Sequence, residues 1–177
     1  MRWRGYQFEV VPSEVPEEVA ASPQETVRLN ARRKAHKVAK LRPDGVVIGV
    51  DTEVFFNGQV LGKPVDFEDA IRMLMMLNGH SHEVFSGVCL VWDGGAQERT
   101  FIERTRVQFH RRNEAELKAY LRRIKPLDKA GAYAAQDDSG GMIAKVEGSF
   151  SNVMGLPMEK LEEELAQLAP EFGWQTP

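Results

Sequence analysis

Cysteine is almost absent from this sequence of 177 residues, since Cys89 is its only example. A single thiol cannot form an internal disulfide and is typical of a reducing compartment, so we expect a cytoplasmic protein. Cys89 lies in the apolar stretch GVCLVW, and no catalytic motif surrounds it. We therefore expect a small buried core residue and not a nucleophile.

The sequence also lacks long apolar runs and an excess of positive charge. No stretch approaches the roughly 20 apolar residues that a membrane-spanning helix needs. The 23 Lys and Arg residues against 26 Asp and Glu residues give a net charge of −3. Nothing electrostatic therefore favours binding to nucleic acid or to an anionic membrane. Hydrophobic residues make up 42% of the chain, which is enough for one globular domain over residues 1–177.

Several well-known motifs are missing too. The chain contains no Walker A loop, no G-x-G-x-x-G, no H-E-x-x-H and no G-x-S-x-G. His80 and His82 could share one face of a strand, but two imidazoles without a third ligand are weak evidence for zinc. Functional residues are therefore to be sought among polar residues at the ends of predicted helices and strands.

The first predicted helix carries a lysine close to its apolar face. The stretch SPQE is typical of a helix start, with Ser22 as N-cap and Pro23 in the first position, and the helix should run to about Ala39. Lys34 falls inside its apolar stripe, so it either snorkels at the edge of the core or reaches into a cleft; the helix taken alone favours snorkelling. The stripe consists of Val27, Ala31, Ala35 and Val38.

A predicted strand and hairpin follow the helix. Val46–Val50 indicates a buried strand that ends at Asp51, and the dipeptide NG at residues 57–58 is a strong signal for a two-residue hairpin loop. This register places Lys63 opposite Thr52 and beside Asp51. Ligands in open α/β sheets bind at the carboxyl ends of strands, where we expect Asp51 to lie.

The rest of the chain reads as alternating strands and helices, which indicates the α/β class. A glycine-rich loop, LDKAGAYAAQDDSGG, precedes the last strand. The other expected elements are a short strand at Tyr6–Val11, a helix from its cap Asp66 to about Asn78, strands in HEVFSGVCLVW and ERTFIERTRVQF, a helix from Asn113 to before Pro126, a buried strand in MIAKVEG and a helix with Pro157 near its start.

Polar residues at the ends of these elements form the candidate site. Lysines with carboxylates and glycine loops suit a polyphosphate ligand, because lysines neutralise phosphate oxygens and carboxylates hold Mg²⁺. Ordinary helix caps and salt bridges explain the same residues, and spacing alone slightly favours that explanation. The set consists of Lys34, Asp51, Thr52, Lys63, Asp128, Lys129, Gln136, Ser149, Ser151 and Asn152.

From about residue 5 to residue 165 the sequence resembles the Maf family. The strings A-x-x-K-A, VIGVDT, LGKPVDFEDA, HEVFSGV, DKAGAYAAQ and GSFSNVMGLP occur here in the family's order. The resemblance implies a nucleoside triphosphate pyrophosphatase, which cuts the α–β phosphoanhydride and releases a nucleoside monophosphate and pyrophosphate. The implied fold is a two-lobed α/β protein with a mixed sheet flanked by helices, similar to the inosine triphosphatases.

The resemblance also implies roles for individual residues. Asp51 in VIGVDT matches the family's general base, which activates the attacking water. Glu17 in SEVPEE matches an acidic residue that, with Asp51, would hold a divalent metal, Mg²⁺ or Mn²⁺. Pro16 stands where the family usually has an Asp.

Four further residues match positions that contact the substrate. Lys34 and Lys63 correspond to lysines that bind the phosphates. Thr52 and Gln136 correspond to positions associated with substrate choice. The form AGAYAAQ resembles the branch that acts on dTTP and UTP, whereas the 7-methyl-GTP branch usually carries AGSF and a Glu. The implied partner is a nucleoside triphosphate, and association with a second copy is left open.

The family's opening strand and its S-x-S-P-R-R phosphate loop have no counterpart in this sequence. We therefore expect a chain that is truncated relative to the family, with the first strand missing, through either a misassigned start or degeneration. Residues 1–4 resemble the end of the family's first helix, which favours a misassigned start. The alternative function is a catalytically impaired nucleotide-binding homologue with a regulatory role in cell division.

Overall fold

The computed structural model describes residues 5–173, apart from the side chains of residues 139 and 140. Residues 1–4, which resemble a helix end, lie outside this range. The helices are α1 (Pro23–Ala39), α2 (Phe67–Leu77), α3 (Glu114–Arg123), α4 (Phe150–Val153) and α5 (Met158–Phe172). The strands are β1 (Val47–Phe56), β2 (Gln59–Leu61), β3 (Ser81–Trp92), β4 (Gln97–Phe109) and β5 (Ile143–Glu147).

The strands form one five-stranded sheet with the order β2-β1-β3-β4-β5. Helices flank it, which confirms the α/β class. Every pairing among the described residues is antiparallel, whereas a mixed sheet was expected. Tight turns return the chain beside the strand it has just left, after both β1 and β3, and such hairpins give antiparallel neighbours.

The strand predicted to end before Asp51 continues well beyond it. Pairing with β3 runs without interruption from Val47 to Phe55, so Asp51 lies in the middle of β1 and not at its carboxyl end. The hairpin is confirmed, because Phe56 pairs with Gln59 across residues 57 and 58. Both loop residues have positive φ, as a type I′ turn requires.

Helix α1 packs directly on one face of the sheet, because two glycines let it approach. A Cβ atom added to Gly49 or to Gly87 would overlap the α1 backbone, at Ala31 and Val27 respectively. The predicted apolar stripe of α1 is buried in full. This close contact brings the polar side chains of α1 onto Asp51.

The opposite face of the sheet carries two separate apolar clusters, as a two-lobed fold predicts. One cluster combines α2 and α3 with the hairpin end of the sheet, and the other combines α5 with the far end. Polar side chains lie between them: Thr52 contacts Ser86 at 2.7 Å, and Asn152 donates to Thr105 at 3.0 Å.

The helix starts are those that the sequence predicts, with Ser22, Asp66 and Asn113 as N-caps. One strand prediction is wrong, and a second is confirmed except for its expected burial. Tyr6–Val11 forms no strand and lies in a segment without regular secondary structure, where Glu9 pairs with Arg42 just beyond α1. The strand in MIAKVEG is largely exposed, because β5 has only β4 as a neighbour and lies at the sheet edge.

The next residues to consider are His80 and His82, the possible zinc ligands, and Cys89, the single cysteine. His82 is buried, and its Nε2 atom lies 2.9 Å from the Tyr133 hydroxyl, whereas His80 is exposed. Burial lowers the pKa of His82 to about 3, so this ring is neutral. Cys89 is fully buried, which confirms its prediction, and burial raises the pKa of its thiol. None of the described helices has the length and apolar character needed to cross a bilayer.

Candidate active site

Four side chains of alternating charge form a connected row beside β1. The Lys34 ammonium lies 2.6 Å from Asp51 Oδ1 and 2.9 Å from Glu17 Oε1. The same Glu17 oxygen lies 3.4 Å from the Lys63 ammonium. We call the row Asp51–Lys34–Glu17–Lys63 the charge chain. Lys34 therefore reaches into a polar site and does not snorkel at the edge of the core.

The charge chain corrects the expected contact between Asp51 and Lys63. Strand β2 ends at Leu61, so the pairing never extends to Lys63 opposite Thr52. Two side chains, Lys34 and Glu17, lie between Lys63 and Asp51.

Solvent exposure increases along the charge chain from Asp51 to Lys63. Asp51 is 5% exposed, the Lys34 side chain is 20% exposed and the Lys63 side chain is 55% exposed. The chain therefore leads from solvent to a buried carboxylate. A charged ligand that approaches from solvent meets Lys63 and Glu17 before it meets Asp51.

Lys34 and Glu17, in the middle of the charge chain, hold each other in the ionised state. Burial lowers the pKa of Lys34, but its hydrogen bonds to Asp51 and Glu17 outweigh that effect and hold it above the ordinary value. The hydrogen bond from Lys34 lowers the pKa of Glu17 against the opposing effect of burial. Lys34 is therefore a cation, and Glu17 an anion, throughout the neutral range.

Sequence reasoning missed Asn30, which supports the buried end of the charge chain. Asn30 is 1% exposed and donates from Nδ2 to Asp51 Oδ2 at 3.2 Å and to the Glu18 carbonyl at 3.0 Å. Its Oδ1 atom accepts the Glu18 backbone N–H at 2.9 Å. Asn30 thus ties the backbone next to Glu17 to Asp51. The available signal was its position four residues before Lys34, which places both on one helix face.

Replacing Asn30 with leucine is expected to loosen this arrangement. Asn30→Leu leaves the Glu18 N–H and C=O without their partner, so the free energy of unfolding should fall by about 1–3 kcal/mol. Any activity that depends on Asp51 should fall too, because Asp51 and the backbone next to Glu17 lose their common support. Thermal denaturation and initial rates measure both, with Arg28→Leu on the exposed side of α1 as control. Unchanged stability and rate in Asn30→Leu would contradict this role.

Sequence reasoning also missed Glu53. Its side chain projects from the same face of β1 as that of Asp51, because the two residues are two positions apart. Its Oε2 atom is buried and has no hydrogen-bond partner in the described part of the chain. Burial, followed by the charges of Asp51 and Glu17, raises the pKa of Glu53 to about 7. The signal was the strand alternation itself, which the prediction that the strand ends at Val50 concealed.

Two of the expected substrate residues lie away from the charge chain. The Thr52 side chain projects from the opposite face of β1, where its hydroxyl contacts Ser86 and donates to the Gly155 carbonyl at 3.3 Å. Adjacent strand residues necessarily point to opposite faces. Gln136 is exposed in a 3-10 segment, and no described hydrogen bond joins it to the charge chain.

The residues present suit a divalent metal that is shared with a ligand. The described residues contain no group of three or more His, Cys, Asp or Glu side chains that could enclose an ion by themselves. Mg²⁺ in nucleotide sites usually takes one or two carboxylates, the substrate phosphates and several waters. Asp51 and Glu17 provide two carboxylates, and Glu53 provides a buried acceptor without a partner. This donor set fits a shared ion and not a protein-only cage.

Comparison with known proteins gives a consistent family. The family model described as Maf-like protein matches residues 1–168. A dTTP/UTP pyrophosphatase of Carboxydothermus hydrogenoformans is 43% identical over 162 residues, which cover 91% of this chain and 87% of the relative. A Bacillus cereus protein with the same name is 40% identical over 167 residues, covering 92% of this chain and 80% of the relative. One from Bacillus cytotoxicus is 40% identical over 164 residues, covering 90% and 84%. The chain therefore belongs to the Maf family.

Proposed function

We propose that this protein hydrolyses dTTP and UTP at the α–β phosphoanhydride to the nucleoside monophosphate and pyrophosphate. The observation that carries the proposal is the charge chain, which offers two lysines to a polyphosphate and a buried carboxylate at its inner end. The names of relatives at 40–43% identity support the same reaction and the same two nucleotides.

In this proposal Asp51 is the general base. Its carboxylate accepts the proton of the attacking water, and Asn30 and Lys34 hold its two oxygens in place. A bound phosphate competes with Asp51 and Glu17 for the Lys34 ammonium, which then neutralises charge that develops on the phosphate oxygens. Asp51 and Glu17 would hold a divalent cation, Mg²⁺ or Mn²⁺, whose chemistry when bound is to neutralise further phosphate charge.

Lys63 lies at the exposed end, and we propose that it binds phosphate without supporting the fold. Lys63→Ala should raise KM for the nucleotide about 10-fold, because it removes a charge-assisted hydrogen bond. Its ion pair with Glu17 is exposed, so the melting temperature should hardly change. Lys37→Ala, at an exposed position of α1, is the control. A lower melting temperature with an unchanged KM would instead make Lys63 a structural residue.

Thr52 and Gln136 are proposed to influence substrate choice. Gln136 is exposed, so its amide is available to hydrogen-bond a nucleobase. Thr52 acts from the other sheet face through its contact with the Gly155 backbone. We further propose a cytoplasmic protein, with residues 1–177 forming one domain. The single cysteine and the continuous five-stranded sheet support these two assignments.

A nucleotide panel tests the proposed reaction. The protein is expressed and incubated with Mg²⁺ and with dTTP, UTP, dCTP, CTP, ATP, GTP or 7-methyl-GTP. The products are then separated by chromatography. We expect monophosphate and pyrophosphate from dTTP and UTP first. Orthophosphate as the initial product rules out α–β cleavage, and preference for 7-methyl-GTP rejects the pyrimidine assignment. Nucleotide binding without turnover would favour the impaired homologue with a regulatory role.

A further inference from the structure

Glu53 is half-buried, and one of its carboxylate oxygens lacks a hydrogen-bond partner within the described residues. It shares its strand face with Asp51, and its Oε2 atom is buried and lacks a hydrogen bond within the described residues. On β3 the opposing residue is Phe85, which is 2% exposed. The directly opposing residue therefore offers this carboxylate an aromatic ring and no hydrogen-bond donor.

A buried carboxylate oxygen without a donor is unusual, because buried polar atoms in proteins are nearly always hydrogen-bonded. An apolar residue would suit the position better, since Phe55 and Phe85 form an edge-to-face pair close by, with ring centroids 6.3 Å apart. Violations of this kind are typical of functional sites. The missing donor is therefore to be sought in a bound ligand.

We infer that Glu53 accepts a hydrogen bond from a water molecule in the hydration shell of the divalent cation, and so positions the cation and its water next to Asp51. This inference rests on the proposed function. Mg²⁺ dehydrates reluctantly and keeps several waters, whose O–H groups are the donors that Glu53 lacks. The Cα atoms of residues two positions apart on a strand are separated by about 7 Å. This spacing leaves room for a water between Glu53 and an ion held by Asp51.

The test measures metal binding and not turnover. Glu53→Gln keeps the shape of the side chain and removes its charge. Mn²⁺ binding is followed by electron paramagnetic resonance in the presence of a non-hydrolysable dTTP analogue. We expect the apparent Kd for Mn²⁺ to rise about 10-fold, the usual effect of removing a residue that orients a metal's ligands. The melting temperature should stay the same or rise, because Glu53 is half-buried and its Oε2 atom has no hydrogen-bond donor within the described residues.

Two further variants separate this role from a structural one. Glu83→Gln is the matched control, a glutamate of the same sheet that is paired with Arg104, and it should leave Mn²⁺ binding unchanged. Glu53→Val should weaken Mn²⁺ binding while it raises the melting temperature. A residue needed only for the fold would lower the melting temperature in both Glu53 variants.

The outcomes distinguish this inference from the proposed function. Unchanged Mn²⁺ affinity in Glu53→Gln, an equal loss in Glu83→Gln, or no Mn²⁺ binding by the parent protein overturns the role of Glu53. Normal pyrophosphate release with unaltered Mn²⁺ binding in Glu53→Gln contradicts this inference alone. Mn²⁺ binding that depends on Glu53, without any pyrophosphate release, contradicts the proposed function and retains the metal assignment.

Discussion

Asp51→Asn is expected to lower turnover by about 10²- to 10⁴-fold, the usual range for loss of a general base. Asparagine keeps the shape of the side chain and can still accept the hydrogen bond from Asn30, but its amide is not a useful proton acceptor at neutral pH. Lys34 keeps Glu17 as a partner, so the loss of stability should stay below the about 3–5 kcal/mol of a fully broken buried ion pair. Initial rates and thermal denaturation measure the two effects.

The comparison variant for Asp51→Asn is Asp44→Asn, which makes the same chemical change at an exposed position before β1. It should match the parent protein in rate and in melting temperature. If Asp51→Asn retains the parent's rate while it melts at a lower temperature, Asp51 serves only as the structural partner of Lys34.

Lys34→Met should impair both turnover and stability. The substitution removes the cation between Asp51 and Glu17, so two carboxylates lose their common partner and repel each other. We expect the free energy of unfolding to fall by about 1–3 kcal/mol, because the Asp51 end of the pair is buried. We expect turnover to fall at least about 10²-fold, because the variant also lacks the charge that stabilises the transition state. Lys34→Arg is the control that retains the positive charge.

The effect of Lys34→Met on stability should depend on pH in a specific direction. Lys34 lowers the pKa of Glu17 below its ordinary 4.5, so this stabilisation is present above pH 4.5 and is lost as the pH falls through the lowered value. The raised pKa of Lys34 makes its stabilisation present below pH 10.5 and lost at higher pH. The melting temperatures of parent and variant should therefore differ most between these limits and converge in acid. A difference that does not shrink in acid would contradict the ion pair as its source.

Local chemistry made part of the fold predictable from the sequence. The caps Ser22, Asp66 and Asn113 were found because a side-chain acceptor at a helix start satisfies nearby backbone N–H groups whatever the rest of the chain does. The hairpin was found because residues 57–58 tolerate positive φ. Lys34 was flagged because a cation inside an apolar stripe is unusual.

The wrong predictions concern features that depend on packing between segments distant in the sequence. The lengths of β1 and β2 follow from their pairing partners, so sequence alone misplaced Asp51 at a strand end and extended the pairing to Lys63. Asn30 looked like an ordinary polar helix residue until its contacts with Glu18 and Asp51 were known. Glu53 was missed because the strand was predicted to end at Val50, whereas its pairing with β3 extends it to Phe55.

The most direct test of the central claim follows dTTP hydrolysis by ³¹P NMR in ¹⁸O-labelled water, with the parent protein and with Asp51→Asn. We expect the parent to give thymidine monophosphate and pyrophosphate as the only initial products, with ¹⁸O in one of the two, and Asp51→Asn to give almost none of either under the same conditions. Formation of thymidine diphosphate and orthophosphate, or turnover by Asp51→Asn at the parent's rate, would contradict water attack at the α–β anhydride directed by Asp51.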